Sequence, residues 1–195
     1  MKIAIIDYKA GNIKSVEAAL KRFGCDTTLT KDPQVITSAD KVVFPGVGHA
    51  GAALEALRAA GLDTLIPSLT QPVLGICLGM QMMCRRSEEG DTPCLGIFDA
   101  EVVKFTPDNG EKIPHMGWNQ IENLKSPLFK GIPDGSFMYF VHSYMVPVIE
   151  HTAAECGYAQ RFSAALARNN FFGCQFHPEK SGNIGLQILE NFIKL

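Results

Sequence analysis

Cys77 lies between two glycines in Gly75-Ile76-Cys77-Leu78-Gly79-Met80-Gln81, directly after the apolar run Pro72-Val73-Leu74. A buried strand that ends in a small-residue turn, with helix-like Met80-Gln81-Met82-Met83-Cys84 behind it, is the pattern of a nucleophile elbow. Such a turn is sharp enough to exclude bulk on both sides of the reactive residue. It lifts the thiol above the sheet and sets the next backbone amide, that of Leu78, where an oxyanion would form. The start of a helix there favours thiolate over thiol.

A thiolate needs a base, and the base needs an orienting group. Phe176-His177-Pro178-Glu179 offers both after a second apolar run, Phe171 to Phe176. Pro178 biases His177 toward extended backbone, and in extended chain residues two apart share a face, so Glu179 is expected beside the imidazole. Alone, His177-Pro178-Glu179 reads as a plain turn, and an isolated cysteine reads as a small buried hydrophobe. A core cysteine, however, has no need of glycines two residues before and after it. Pro45-Gly46-Val47-Gly48 follows another apolar run. It reads either as an ordinary strand-to-helix turn or as a backbone wall whose amides face a ligand. No Lys-Ser/Thr follows it, which argues against a phosphate loop.

These groups need a scaffold. Strand-like runs at Lys2 to Ile6, Cys25 to Thr30, Lys41 to Phe44 and Val73 to Ile76 alternate with helical patterns at 12–23 and 50–60. The first helix is expected to start on Asn12 as N-cap and to end at Gly24. This alternation implies a parallel sheet with helices on both faces and ligands beyond its carboxyl edge. The second half reads as short strands at Glu101 to Lys104, Asn119 to Glu122, Phe137 to His142, Ala153 to Tyr158, Ala164 to Arg168 and Phe171 to Phe176. They suggest an antiparallel or mixed sheet, and a closing amphipathic helix runs from Asn183 to Leu195.

The chain of 195 residues carries a net charge of −2 and 46% hydrophobic residues, which fits one globular domain, 1–195, and gives no sign of nucleic-acid or membrane binding. No Cys-x-x-Cys pair and no zinc-like histidine spacing occurs, so neither metal nor cofactor is expected. Cys25, Cys84, Cys94, Cys156 and Cys174 read as structural thiols, and the expected compartment is the reducing cytoplasm.

The elbow heptapeptide, Phe176-His177-Pro178-Glu179 and Pro45-Gly46-Val47-Gly48 together resemble the class I, triad-type glutamine amidotransferases, over essentially the whole chain. Ile113-Pro114-His115-Met116-Gly117-Trp118-Asn119, Tyr139-Phe140-Val141-His142-Ser143-Tyr144 and His177-Pro178-Glu179-Lys180-Ser181 resemble the branch that serves imidazole glycerol phosphate synthesis in histidine biosynthesis. The resemblance implies a three-layer α/β fold: a mostly parallel central sheet, helices on both faces and a small antiparallel sheet. It implies that Cys77 attacks the carboxamide of glutamine, that His177 moves the proton and that Glu179 orients His177. It places the oxyanion at the Leu78 amide and an amide near Val47 or Gly48. Gly46, Gly48, Gln81, His142, Ser143 and Tyr144 would line or contact the glutamine site. Met116, Trp118, Tyr139 and Lys180 would face a partner, a cyclase subunit built as a (β/α)₈ barrel that receives the ammonia. With no synthase segment in the chain, the ammonia is expected to be used by that separate subunit. The rivals are another amidotransferase subunit, a non-catalytic binding subunit, and a cysteine peptidase or γ-glutamyl hydrolase on the same scaffold.

Overall fold

The computed structural model describes residues 1–8 and 13–195. The expected N-cap Asn12 lies outside the described residues. The first half runs β1 (Lys2–Ile6), α1 (Ile13–Lys21), β2 (Asp26–Thr30), α2 (Pro33–Ser38), β3 (Lys41–Gly46), α3 (Ala50–Ala59), α4 (Leu62–Ser68), β4 (Val73–Cys77) and α5 (Leu78–Met82). Then come β5 (Arg86–Ser87), β6 (Thr92–Pro93), β7 (Glu101–Lys104), β8 (His115–Ile121), β9 (Ser136–His142) and β10 (Tyr144–Met145). The chain closes with β11 (Thr152–Tyr158), β12 (Gln160–Arg168), β13 (Phe171–Cys174) and α6 (Gly182–Lys194).

Seven strands form the central sheet in the order β11-β12-β13-β4-β3-β1-β2. β2, β1, β3, β4 and β13 are parallel, and β12 and β11 add an antiparallel edge. A four-stranded sheet, β10-β7-β5-β6, and a two-stranded antiparallel ribbon, β8-β9, complete the fold. The expected α/β architecture is present. Two short helices, α2 and α4, were not read from the sequence.

Alternation along β1 explains the layering. Ile3 and Ile5 belong to one buried cluster, with Val16 and Leu20 of α1 and Ile188, Leu189 and Phe192 of α6. Ala4 and Ile6 belong to the other, with Ile36, Leu57, Ile66 and Phe98. Side chains of period 2 feed two faces, and each face is closed by helices.

The topology delivers chemistry to one point. β13 lies parallel to β4 with Gly173 opposite Gly75 and Cys174 opposite Ile76. β3 lies on the other side with Gly46 opposite Cys77. The segments leaving β3 and β13 therefore emerge on either side of the elbow, at the carboxyl edge where ligands gather in such sheets.

The packing beneath the elbow leaves no slack. A Cβ added to Gly79 would overlap the carbonyl oxygen of Phe44. We expect Gly79→Ala to lower unfolding stability by about 1–3 kcal/mol in urea denaturation, the range for overpacking a filled site. Gly157→Ala, where an added Cβ meets nothing within 4 Å, should stay within about 0.5 kcal/mol of the parent.

Candidate active site

Cys77 ends β4 with φ 54° and ψ −111°. A non-glycine residue in that region is strained by about 1–3 kcal/mol and persists only where its surroundings fix it. Here the glycines fix it. A Cβ at Gly75 would sit 2.8 Å from the Met80 amide nitrogen. The helix after the turn differs from expectation. It spans Leu78–Met82 rather than 80–84, because the elbow hands over to helix without a spacer, while the amides of Met83 and Cys84 still bond to Met80 and Gln81.

The imidazole arrives from β13. His177 is extended, with φ −98° and ψ 95°, as the following proline requires. Residues Pro178–Lys180, however, form a 3₁₀ turn and do not continue the strand. Proline fits the first position of such a turn because its missing N–H needs no partner there. The carboxylate still reaches the ring, with His177 Nδ1 2.8 Å from Glu179 Oε1. Both side chains are buried, and Glu179 Oε2 has no hydrogen-bond partner. Burial pulls the His177 pKa down, but hydrogen bonds to Cys77 and Glu179 and their charges outweigh it and push it up to about 10. A thiol, an imidazole and a carboxylate thus form one interacting line, the arrangement that covalent acyl transfer uses.

A cavity of about 330 Å³ opens over this line. Val47, Gly48, Cys77, Leu78, Gln81 and His177 line it, together with His142 at the end of β9, Ser143 after it and Tyr144 at the start of β10. That size lies at the small end for ligand sites and suits one amino acid better than a peptide. Gly46 does not line the cavity as expected. It is the last residue of β3 and lies beneath the cavity, where a Cβ would clash with the Tyr8 hydroxyl and the Gly79 amide nitrogen. The Tyr8 hydroxyl is buried without a hydrogen-bond partner, and burial holds its pKa far above the usual phenol range. Gly48, with φ 104°, occupies backbone that favours glycine.

His142 lines the cavity as expected of its segment, and both its ring nitrogens are engaged by the protein. Its Nδ1 donates to the Tyr144 carbonyl at 2.7 Å, so its Nε2 is the acceptor for His115 Nδ1 at 3.1 Å. Asn119 Nδ2 lies 3.4 Å from His115 Nε2 and donates to the Gly157 carbonyl at 3.0 Å. This order fixes both tautomers as neutral rings. Burial lowers His142 to about 3 and His115 to about 4. His115 lies stacked on Tyr158 with ring centroids 4.0 Å apart.

Two residues, one in the cavity wall and one buried beneath it against Cys77, escaped the sequence reading. Glu89 joins the cavity and accepts from the Ala50 amide at 2.7 Å. Gln175, fully buried, donates to Cys77 Sγ at 3.8 Å and accepts from Gln81 Nε2 at 2.9 Å. A lone amide inside the apolar run 171–176 was its only signal. The five other cysteines are free, and burial raises the thiol pKa of each, with Cys94 at about 11 and Cys156 at about 12.

The expected partner-facing residues cluster beside the cavity. On the β8-β9 ribbon Trp118 pairs with Tyr139 and Met116 with Val141, so the four share one face. Met116 is 64% and Trp118 54% exposed, with Phe137 at 53% on the same face. Lys180 lies over the Tyr139 ring at 6.0 Å.

Fold and site together define a class of protein. The chain belongs to the class I glutamine amidotransferase family, whose model it matches over residues 4–195. It is 58% identical over 196 residues to the imidazole glycerol phosphate synthase subunit HisH of Bacteroides fragilis (strain YCH46), with both chains covered in full. It is 47% identical over 197 residues to the protein of the same name from Escherichia coli (strain K12), again with full coverage of both. The solved structure of PurLQS from Thermotoga maritima shares the fold, with TM-score 0.73 at 16% identity, over 99% of this chain and 97% of that one.

The three histidines give the folded state a definite acid–base signature. His115 and His142 take up protons near pH 6.5 when unfolded but only near 4 and 3 when folded. Unfolding then binds protons, and stability falls as pH drops below about 6.5, with a slope approaching about 2.7 kcal/mol per pH unit for the pair. His177 acts oppositely: its contribution is fully present below about 6.5 and is lost as pH rises through about 10. Urea midpoints between pH 4 and 6.5 should show the steep acid limb, and His142→Gln should roughly halve its slope.

Proposed function

We propose that this chain is the glutaminase subunit of imidazole glycerol phosphate synthase, working in the cytoplasm as a single domain, 1–195, with a separate cyclase subunit built as a (β/α)₈ barrel. The observation that carries the chemistry is the Cys77–His177–Glu179 line under a cavity of about 330 Å³. The full-length likeness to HisH proteins supports the choice of pathway.

In this reading Cys77 Sγ attacks the side-chain carboxamide carbon of glutamine. The developing oxyanion is held by the Leu78 amide and an amide at Val47 or Gly48. His177 passes its proton to the departing nitrogen, and ammonia leaves behind a glutamyl thioester on Cys77. His177 then takes a proton from water as water attacks the thioester, and glutamate departs with the thiolate restored. Glu179 keeps the ring in the required tautomer through Nδ1 and favours the imidazolium. At the cavity wall the Glu89 carboxylate suits the ammonium of the substrate, and Gln81, Ser143 and Tyr144 complete the contacts.

Met116, Trp118, Tyr139 and Lys180 form the docking face for the cyclase. Leaving two or three large apolar side chains in water forgoes about 1.5–3 kcal/mol each, which suits a surface that is covered in the working enzyme. The ribbon also reaches the catalytic base. The Tyr139 carbonyl accepts from the His177 amide at 2.9 Å, and the Tyr139 amide donates to Ser181 Oγ at 3.0 Å.

Cys77→Ala, assayed with the cyclase subunit, should lower glutamine-dependent synthesis on the order of 10⁴-fold or more while ammonium-dependent synthesis continues. Retained use of glutamine by that variant would refute the mechanism. Trp118→Ala should weaken association with the cyclase about 30-fold, the scale of a central aromatic anchor, and leave the melting temperature of the isolated chain nearly unchanged. Because Trp118 is the only tryptophan, its emission reports binding directly in the parent. A titration with no emission change, together with unaltered affinity in the variant, would remove the ribbon from the interface.

A further inference from the structure

We infer that Gln175 is a positioning residue with two separable duties, one at each end of its side-chain amide: it donates to the sulfur of Cys77 and it fixes which way the amide of Gln81 points. The inference rests on the glutaminase reading above.

The geometry is a closed chain of buried amides. Gln175 Nε2 lies 3.8 Å from Cys77 Sγ, within sulfur hydrogen-bonding range, and its Oε1 accepts from Gln81 Nε2 at 2.9 Å. The same Gln81 nitrogen donates to the Tyr144 carbonyl at 2.9 Å. That carbonyl also takes the Nδ1 proton of His142 at 2.7 Å. Gln175 is anchored in turn by its own backbone, whose amide donates to the Ala164 carbonyl at 2.8 Å.

Counting donors decides what Gln81 can offer. A primary amide nitrogen carries two protons. Both are spent, one on Tyr144 and one on Gln175, so the remaining polar atom of Gln81 is its carbonyl oxygen, an acceptor. A ligand facing Gln81 must therefore bring an N–H, as the carboxamide and the ammonium of glutamine both do, and a ligand with only acceptors in that place is rejected. Without Gln175 one Gln81 proton is released toward the ligand, and the Tyr144 carbonyl alone holds the amide.

At the other end the donated N–H meets the sulfur in whichever form it takes, and a hydrogen bond strengthens when its acceptor is charged. Gln175 thus favours the thiolate. No other described side chain is placed to donate to that sulfur except His177, which must give up its proton during the reaction.

Two substitutions separate the duties. Gln175→Met keeps the bulk and removes both ends. It should slow iodoacetamide alkylation of Cys77 and lower kcat about tenfold, and raise the KM for glutamine about tenfold. Gln175→Glu keeps an acceptor for Gln81 and removes the donor. It should lower kcat at least as far and hold KM within about twofold of the parent. All are measured in the complex with the cyclase subunit, with melting temperatures recorded alongside. A filler role would lower the melting temperature without splitting kcat from KM. Unchanged alkylation and kcat in Gln175→Met overturns the sulfur contact, and an unchanged KM in Gln175→Met overturns the Gln81 contact. If Gln175→Glu fails to fold, the methionine variant alone decides both. Cys77→Ala serves as the control: residual turnover there would sink the glutaminase reading itself, whereas an inactive Cys77→Ala beside a normal Gln175→Met would sink only this inference.

Discussion

The parallel pairing of β13 with β4 is the constraint on which the site depends. A chain that entered β13 from the antiparallel edge and paired one position out of register would turn every side chain of that strand to the opposite face. With Cys174 opposite Ile76, the segment leaving β13 passes beside the elbow and carries His177 to Cys77. The same registry, through Gly46 opposite Cys77, brings the Val47–Gly48 backbone to the other flank. Cys77, His177 and the Val47–Gly48 backbone come from three distant stretches of chain, and adjacent strand ends are what make them neighbours.

Around that point the interior holds several polar side chains, and most of their polar atoms are satisfied. His115, His142, Gln81 and Gln175 are buried, and each finds partners. Such networks are unforgiving, because one missing partner leaves a desolvated group behind. The exceptions stand out for that reason. Tyr8 Oη and Glu179 Oε2 are the buried side-chain atoms without a hydrogen bond among the described residues. Glu179 holds the His177 ring, and Tyr8 lies under Gly46. The unsatisfied atoms collect around the candidate site, as strain does.

Much of this was legible in the sequence wherever a local pattern had one physical meaning. The glycines about Cys77 and the apolar run before it specify an elbow, because nothing else needs small residues at those spacings. The buried strands β1, β3 and β4 are short β-branched runs and read cleanly. Helices α2 and α4 did not, since Pro33–Ser38 and Leu62–Ser68 span barely two turns and show no clear period. The His177–Glu179 contact was anticipated by way of an extended chain and is achieved through a tight turn. Two different backbones bring those side chains together. Gly46 was read as a wall because glycine signals close approach, and the approach proved to be from below. The sequence puts His142 in a segment that lines the cavity. Only the structure shows both its nitrogens taken by groups 2 and 27 residues away. Gln175 is the plainest case: a polar side chain in a buried strand announces a partner but not which one.

Cys77 occupies a backbone conformation that any chain built for durability alone would give to glycine. A glycine there would relax the torsional strain and remove the need for so crowded a floor of small residues beneath it. The protein therefore holds this sulfur at the expense of its own resilience, so its fold and its proposed work pull on this one residue in opposite directions. Variants of this chain recovered solely for heat resistance would be expected to drift first at position 77, and to come out sturdier and inert.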